Sequence, residues 1–542
     1  MKSLVPLTSA MGFSNLFLDF LADEASARRF FPNCTIDRAA CKLEQVVYDR
    51  AGIAEVLRAQ NRRLGAGAKT LANIDLLASN KETLCVFAGQ QAVLFGGPLL
   101  VLYKALGAIK SARLYSDQLQ RPVIPVFWMA GDDHDFAEVN HTRVLDRTTQ
   151  PVPIEYAGSP ALELPTGEIR FEDGTALEQA RKSFRDSLGD TDFTPELYEL
   201  IDKCYTGEDT FVTAFGKLLL SLLGDYGLVV FSPVDETAKR RAVPFFQTVI
   251  DRQDEIHERL AEINEQLVEH GYHLQVEKAE DAAHLFYNRD GRKPVKRSGA
   301  GFAVGEQTFT REELKRLIDS EPGRFSPDVI TRPLMQSYLF PAVSQKGGPS
   351  EIAYLAQIAG LFELFGLVPP CYRARPTATV VEKRYAALMK EHHIEYGELA
   401  GDVEQVINRV MAASFPAGLE KQFGLLRSDI EYHIDKFAGE ALKFDPGLER
   451  VAQHTHGKID FVLKGFEGKV FAAHKRQSQQ MRDRIYRLYN ALYAQRTMQE
   501  RTLNVAYFLA RYGRRFIEYL YDELDSEERL HQLIHLGDPA DV

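Results

Sequence analysis

Cysteine and tryptophan are scarce in this chain, with five of the first and one of the second in 542 residues. Cys34, Cys41, Cys85, Cys204 and Cys371 are odd in number and widely spread, and no CxxC pair occurs. This pattern excludes a zinc ribbon, a thioredoxin-type redox site and an even disulfide framework, and it points to a reducing compartment, the cytoplasm. Also missing is any uncharged apolar stretch of about 18 residues, so no transmembrane helix and no membrane partner are expected. The opening residues carry one early lysine, and Asp19 interrupts their apolar part, which does not read as a signal peptide. Lysine and arginine number 65 against 76 acidic residues, a net charge of −11, so a global basic field for nucleic acid is absent.

What is present is the composition of a globular protein, 45% apolar and 26% charged, long enough for several domains. From Thr83 the chain reads strand, loop, helix, strand. Leu84-Cys85-Val86-Phe87-Ala88 is a short apolar run suited to a buried parallel strand. Gly89-Gln90-Gln91 follows, and Gly96-Gly97-Pro98 opens a helical segment, with proline placed for a first turn. A second strand, Val123 to Met129, ends in Asp132-Asp133-His134-Asp135. This βαβ unit carries its polar residues at the carboxyl ends of its strands, where open α/β sheets bind ligands.

Further on, residues 150–205 are rich in Pro, Gly, Glu and Asp and read as an insertion. Leu228 to Phe231 is another buried strand, followed by a long polar helix to about residue 268. The run from His284 to Arg297 predicts a β-hairpin with Asn288-Arg289-Asp290-Gly291 as its turn. From about 386 the pattern becomes helical. Leu419, Phe423, Leu426, Ile430, Ile434, Phe437 and Ala441 recur at three- and four-residue steps, and after Asp445-Pro446-Gly447 so do Ile459, Val462, Phe466, Val470 and Ala473. Two such arms joined by a tight turn predict an antiparallel coiled coil, its second arm projecting about 70 Å. The expected organisation is a discontinuous core over 1–150, 205–269 and 326–385, insertions at 151–204 and 270–325, a coiled-coil domain over 386–515, and a C-terminal helix over 516–542.

The segments FAGQQAVLFGGPLLVLYKA, PVFWMAGDDHDFAEVNH, FSPDVITRPLMQ, GGPSEIAYLAQ and ERTLNVAYFLARYG carry a family resemblance. They are similar to the bacillithiol-forming cysteine ligases, which add cysteine to glucosaminyl-malate, and the likeness spans nearly the whole chain. The resemblance implies an α/β fold: a Rossmann-like, nucleotidyltransferase-type core with two inserted connecting segments and a long antiparallel coiled coil that supports a homodimer. It also implies a ligase forming an amide bond on small-molecule substrates; the charge balance leaves no nucleic acid partner expected. A carboxylate is a poor acyl donor, so such a reaction calls for activation, with ATP as the expected co-substrate.

Against that chemistry the motifs divide into three groups. Gly89, Gly96, Gly97, Lys104, Gly347, Gly348 and Glu351 are candidates for nucleotide binding, because glycine turns at helix starts present unpaired N–H groups; ordinary turns and helix capping explain the same residues. Asp133, His134 and Asp135 are the catalytic candidates: packed carboxylates repel unless they bind a cation, and imidazole titrates near neutrality. That cation is either Mg²⁺ or the α-ammonium of cysteine, while a capped, solvated turn is the structural alternative. Gln90, Gln91, Asp132, Asn140, His141, Arg332 and Gln336 are the substrate-binding candidates, with Arg332 as a carboxylate or phosphate clamp. No ligand pattern for zinc is visible, and none is expected.

Arg373, Arg375, Lys383 and Arg384 form a candidate mobile basic loop. The basic residues of the second arm, from Lys464 through Lys475 to Arg501, read as a solvated face. Two rivals to the ligase remain from sequence: a nucleotide-binding coiled-coil scaffold without catalysis, and a nucleotidyltransferase or ligase for another amine.

Overall fold

The computed structural model describes residues 2–32, 35–160, 164–414 and 418–537. They form two compact units, Met1–Ala386 with Ala494–Val542, and Ala387–Tyr493.

At the centre of the first unit is a five-stranded sheet. Its strands are β1 (Leu84–Gln91), β2 (Val123–Ala130), β3 (Val229–Phe231), β4 (Ala342–Gly347) and β5 (Cys371–Ala374). The spatial order is β5-β4-β1-β2-β3, and every neighbouring pair is parallel. β1 and β2 are buried along most of their length, which is why they read as apolar runs rather than as alternating ones. The helix Leu99–Leu119 returns the chain from β1 to β2 and lies against β1, β2 and β4. After β3 the chain crosses to the other side of β1 to form β4. The order therefore reverses between β1 and β4, the place where Rossmann-like sheets open a ligand crevice at their carboxyl ends.

The first insertion contributes the strand Pro151–Glu155, paired antiparallel with His141–Leu145, and the helices Gly174–Leu188 and Thr194–Cys204. In the second, Ala282–Asn288 and Arg292–Ser298 form the expected hairpin, with Gly291 at φ +94° in its turn. Three further strands, Gly301–Val304, Gln307–Phe309 and Phe325–Pro327, extend it to a five-stranded antiparallel sheet. The long polar helix expected before it is instead three helices, Glu236–Arg241, Val243–Asp251 and Gln253–Glu269. Pro244 stands in the first turn of the second, where its missing N–H is harmless and where it would break a continuous helix.

The C-terminal segment differs from the expected single helix and from its assignment to the coiled coil. Residues after Tyr493 belong to the first unit, and His531–Leu536 is a strand lying between Lys2–Val5 and Ala378–Glu382. Gln499 brackets the backbone of Val380, its Oε1 accepting from N–H at 2.8 Å and its Nε2 donating to C=O at 2.9 Å. The expectation of helix over this segment had no strand pairing to correct it, because local pattern does not record which distant strands a segment joins.

In the second unit, Leu419–Phe444 and Glu449–Tyr493 run antiparallel on either side of the turn, where the Asp445 carboxylate accepts the Gly447 N–H at 2.8 Å. The Phe423 and Phe466 rings lie 6.0 Å apart, and Arg427 pairs with Asp460 at 2.5 Å. Of the residues singled out from sequence, Cys34 and the side chain of Lys475 lie outside the described residues. Among the described residues no helix is long and apolar enough to cross a membrane.

Candidate active site

A cleft of about 800 Å³ opens over the carboxyl ends of β1, β2 and β4, the volume of a typical small-molecule site. Its floor is Gly89, Gln90 and Gln91 from β1, Trp128 and Ala130 from β2, and Gln345 from β4. Gly89 sits 3.0 Å, measured from where a Cβ would stand, from the Trp128 carbonyl, so the close approach of β1 to β2 needs glycine there.

Lys104 lies one turn into the helix Leu99–Leu119 and is 4% exposed. Its ammonium donates to the Gly89 carbonyl and to Gln90 Oε1, both at 2.8 Å, and to Glu351 Oε2. Burial pushes the Lys104 ammonium below its ordinary range, and the Glu351 carboxylate opposes that shift. The same Glu351 oxygen accepts the Gly348 N–H at 2.8 Å. One ion pair thus ties the end of β1 to the turn after β4. All three ammonium donors are engaged within the protein, which makes Lys104 an organiser of the crevice.

The acidic wall follows β2. Gln91 Nε2 donates both to Asp133 Oδ2 at 3.1 Å and to Glu138 Oε2 at 2.7 Å, drawing two carboxylates onto one amide. Asp132 pairs at 3.1 Å with Lys239, whose side chain is 2% exposed. His134 is positioned by its backbone N–H, which donates to Asp133 Oδ1 at 2.8 Å, and its Nδ1 accepts from Arg292 at 3.3 Å.

The lining also includes residues that sequence reasoning did not single out. Lys278, Phe286 and Arg292 come from the second insertion, and Asp328 from the segment after it. Against the upward push of burial, the His284 hydrogen bond and charge, Lys278 and the Thr331 N–H hold Asp328 well below the usual carboxylate range. No local pattern marks these positions; only the hairpin's alternation, which sets inward residues against outward ones, was available in sequence. Arg332 and Gln336, on the helix Arg332–Leu339, complete the lining. Arg332 donates to the Tyr354 hydroxyl at 2.6 Å, and Gln336 to Gln345 at 3.1 Å.

Several expected site residues serve the scaffold instead. Asp135 caps the short helix Phe136–Val139 through the Glu138 N–H. Asn140 is buried and donates to Glu155 and to the Tyr156 carbonyl, while His141 Nδ1 contacts the Ala137 carbonyl at 3.0 Å. Gly96 and Gly97 take φ +86° and +68° in a buried turn. Their N–H groups go to the Tyr205 hydroxyl and the Leu94 carbonyl, so neither donor is open to a phosphate. Gly347 ends β4 beside Ala374 and is absent from the cleft lining. The basic loop is likewise built into the fold: Arg375 pairs with buried Glu500 at 2.6 Å, Arg373 with Glu527 at 3.8 Å and Arg384 with Glu382 at 3.2 Å, and Lys383 begins a helix. Among the described residues no three His, Cys, Asp or Glu side chains converge as a metal centre.

A parallel sheet of this order, with a polar cleft at its reversal point and a separate coiled-coil unit, defines a Rossmann-like α/β protein. Its family is specific: the N-terminal Rossmann-like domain of bacillithiol biosynthesis BshC matches residues 3–376, and the C-terminal coiled-coil domain of the same family matches residues 378–536. The chain belongs to the BshC family. Its relatives include proteins named "Putative cysteine ligase BshC" from Koribacter versatilis, 31% identical over 96% of this chain and 97% of that one, and from Geobacillus kaustophilus, 31% identical over 98% and 99%. A relative of the same name from Salinibacter ruber is 28% identical over 97% of both chains.

Proposed function

We propose that this chain is a cytoplasmic ligase that joins the carboxyl group of L-cysteine to the amine of glucosaminyl-malate, forming bacillithiol, with ATP activating the carboxyl group. The observation that carries the reading is that Asp133, after the end of β2, and the start of the helix Pro349–Ile358 line one cleft, with His134 beside that lining in contact with Arg292. The names of the relatives support the same chemistry. Asp133, fixed by Gln91, receives the α-ammonium of cysteine. The N-terminus of the helix Pro349–Ile358, where Ser350 lines the cleft, favours phosphate through its dipole. Arg332 is the clamp for the carboxylate or phosphate.

The attacking amine must lose a proton as the amide bond forms. His134 takes it at Nδ1, the nitrogen that faces Arg292, when that 3.3 Å contact opens. Glu138, which shares the Gln91 amide with Asp133, would be the carboxylate for a Mg²⁺ ion, and such an ion would supply charge neutralisation for the phosphates.

Dimerisation through the coiled coil belongs to the same proposal. Phe437 and Phe461 are 76% and 77% exposed, and Phe444 and Val462 are open as well, an apolar surface that a second copy would cover. Sedimentation of the full chain should show a dimer, and a monomer at micromolar concentration would reject this part.

The decisive test mixes the protein with ATP, Mg²⁺, L-cysteine and glucosaminyl-malate and looks for bacillithiol by mass spectrometry. ATP-dependent product with release of AMP supports activation as an adenylate, and release of ADP an acyl phosphate. A folded protein that binds nucleotide and yields no product rejects the ligase.

A further inference from the structure

The wall built by the second insertion carries two cations whose hydrogen-bonding capacity the protein leaves partly open. Lys278 contacts Asp328 Oδ2 at 3.3 Å, and its side chain remains 30% exposed to the cleft. Asp328 is already well supplied with donors: His284 Nδ1 at 3.1 Å and the backbone N–H groups of Ile330 and Thr331 at 2.9 and 3.1 Å. The carboxylate therefore anchors the ammonium without engaging all three of its protons. His284 is itself fully buried and sits at φ +57°, a backbone conformation that a histidine adopts only where its surroundings hold it.

Arg292 is the second cation. Its guanidinium stacks 3.6 Å from the Phe286 ring centroid, and its remaining contacts are long: 3.3 Å to His134, 3.4 Å to the Pro327 carbonyl and 3.9 Å to Asp133. Its Nε is buried and, among the described residues, has no hydrogen-bond partner. The side chain is only 8% exposed, so a desolvated guanidinium with incomplete partners borders the cleft. Two other cations of the cleft, Lys104 and Arg375, are committed within the protein. Lys104 has three acceptors and Arg375 is locked to Glu500.

We infer that Lys278 and Arg292, carried on the second insertion and anchored by Asp328 and Phe286, form a dicarboxylate-binding wall that holds the malyl group of the acceptor substrate. The inference rests on the ligase reading for the name of that substrate, and on the wall alone for its chemistry. Two carboxylates match an ammonium point charge and a planar guanidinium fork. The start of the helix Pro349–Ile358 and Arg332, which line the same cleft, remain for phosphate. A carboxylate on Arg292 also draws it from His134, opening Nδ1 only once the acceptor is seated.

The test measures binding by calorimetry for the full-length protein and for Lys278→Met, Lys278→Gln, Arg292→Met and Arg292→Lys, with circular dichroism to establish folding. The probes are L-malate, L-lactate as its monocarboxylate counterpart, glucosaminyl-malate and ATP. The unaltered protein should prefer malate to lactate. Each neutral replacement should weaken malate and glucosaminyl-malate about tenfold or more, the effect of one charge-assisted bond, and abolish the preference. Arg292→Lys should recover only part of the loss, and ATP affinity should stay within about twofold. ATP weakened with malate unaffected would overturn the wall and assign it to phosphate. Unchanged binding of every probe, or failure of the unaltered protein to bind malate, would also overturn it. If bacillithiol does not form while the malate preference still depends on Lys278 and Arg292, the ligase reading falls and the wall stands.

Discussion

Lys104 and Glu351, 247 residues apart in sequence, meet in an ion pair at the point where the strand order of the core sheet reverses. The ammonium is held by the end of β1 and the carboxylate by the turn after β4, so the pair fixes the width of the crevice between them. Removing one partner leaves a buried charge unmatched. Glu351→Gln should lower stability by about 3 kcal/mol, read from the urea midpoint, and Lys104→Met with Glu351→Gln should lose less than the two single changes added together.

Asp133 and Asp135 should behave oppositely despite being two residues apart. Asp133→Asn should reduce kcat/KM by about a hundredfold or more, because the carboxylate held by Gln91 lines the cleft, with unfolding unchanged. Asp135→Ala should cost about 1 kcal/mol or less through loss of a helix cap and leave turnover within a few-fold. Steady-state kinetics beside thermal unfolding separates the two.

His134→Ala should lower kcat by about a hundredfold to ten-thousandfold, the usual contribution of a positioned acid–base group, with smaller effects on KM. A kcat that falls less than about tenfold would remove the proton-accepting role.

Gly96→Ala should destabilise the fold without weakening nucleotide binding by the folded fraction. The backbone there is left-handed, and an added Cβ would stand 2.9 Å from Leu218 Cδ2. A loss of about 1–2 kcal/mol is expected in chemical denaturation, with ATP affinity retained in a titration under native conditions.

His531 makes stability pH-dependent. It lies between the Thr377 and Thr379 hydroxyls at 2.8 and 2.9 Å, and burial pushes its imidazole down to about 4, against an ordinary value of 6.5. Below that ordinary value the unfolded chain binds a proton that the folded chain refuses. The contribution is therefore complete above about pH 6.5 and is lost as pH falls to about 4, amounting to about 3 kcal/mol. His531→Gln should flatten the pH dependence of the melting temperature in that window relative to the unaltered chain.

Much of the fold could be read from local chemistry. The apolar runs of β1 and β2, the turn at Asn288–Gly291 and the two coiled-coil arms each follow from patterns a few residues long, because strand burial, turn conformation and helix period are set by near neighbours. The placement of Asp132, Asp133, Gln90 and Gln91 at the carboxyl ends of buried strands was legible for the same reason, since it follows from where two local apolar runs stop. What only the tertiary structure decided is which members of each motif reach the cleft. Gly96 and Gly97 have the composition of a phosphate loop, yet their N–H groups are taken by Tyr205 and Leu94, and Asp135 turns to a cap. Lys278 and Arg292 arrive from an insertion more than a hundred residues after β2, and the segment from Gln499 to Leu536 returns to the first unit. Such meetings depend on long-range packing, whose favourable free energy comes from surfaces that are not adjacent in the chain, so no local pattern records them.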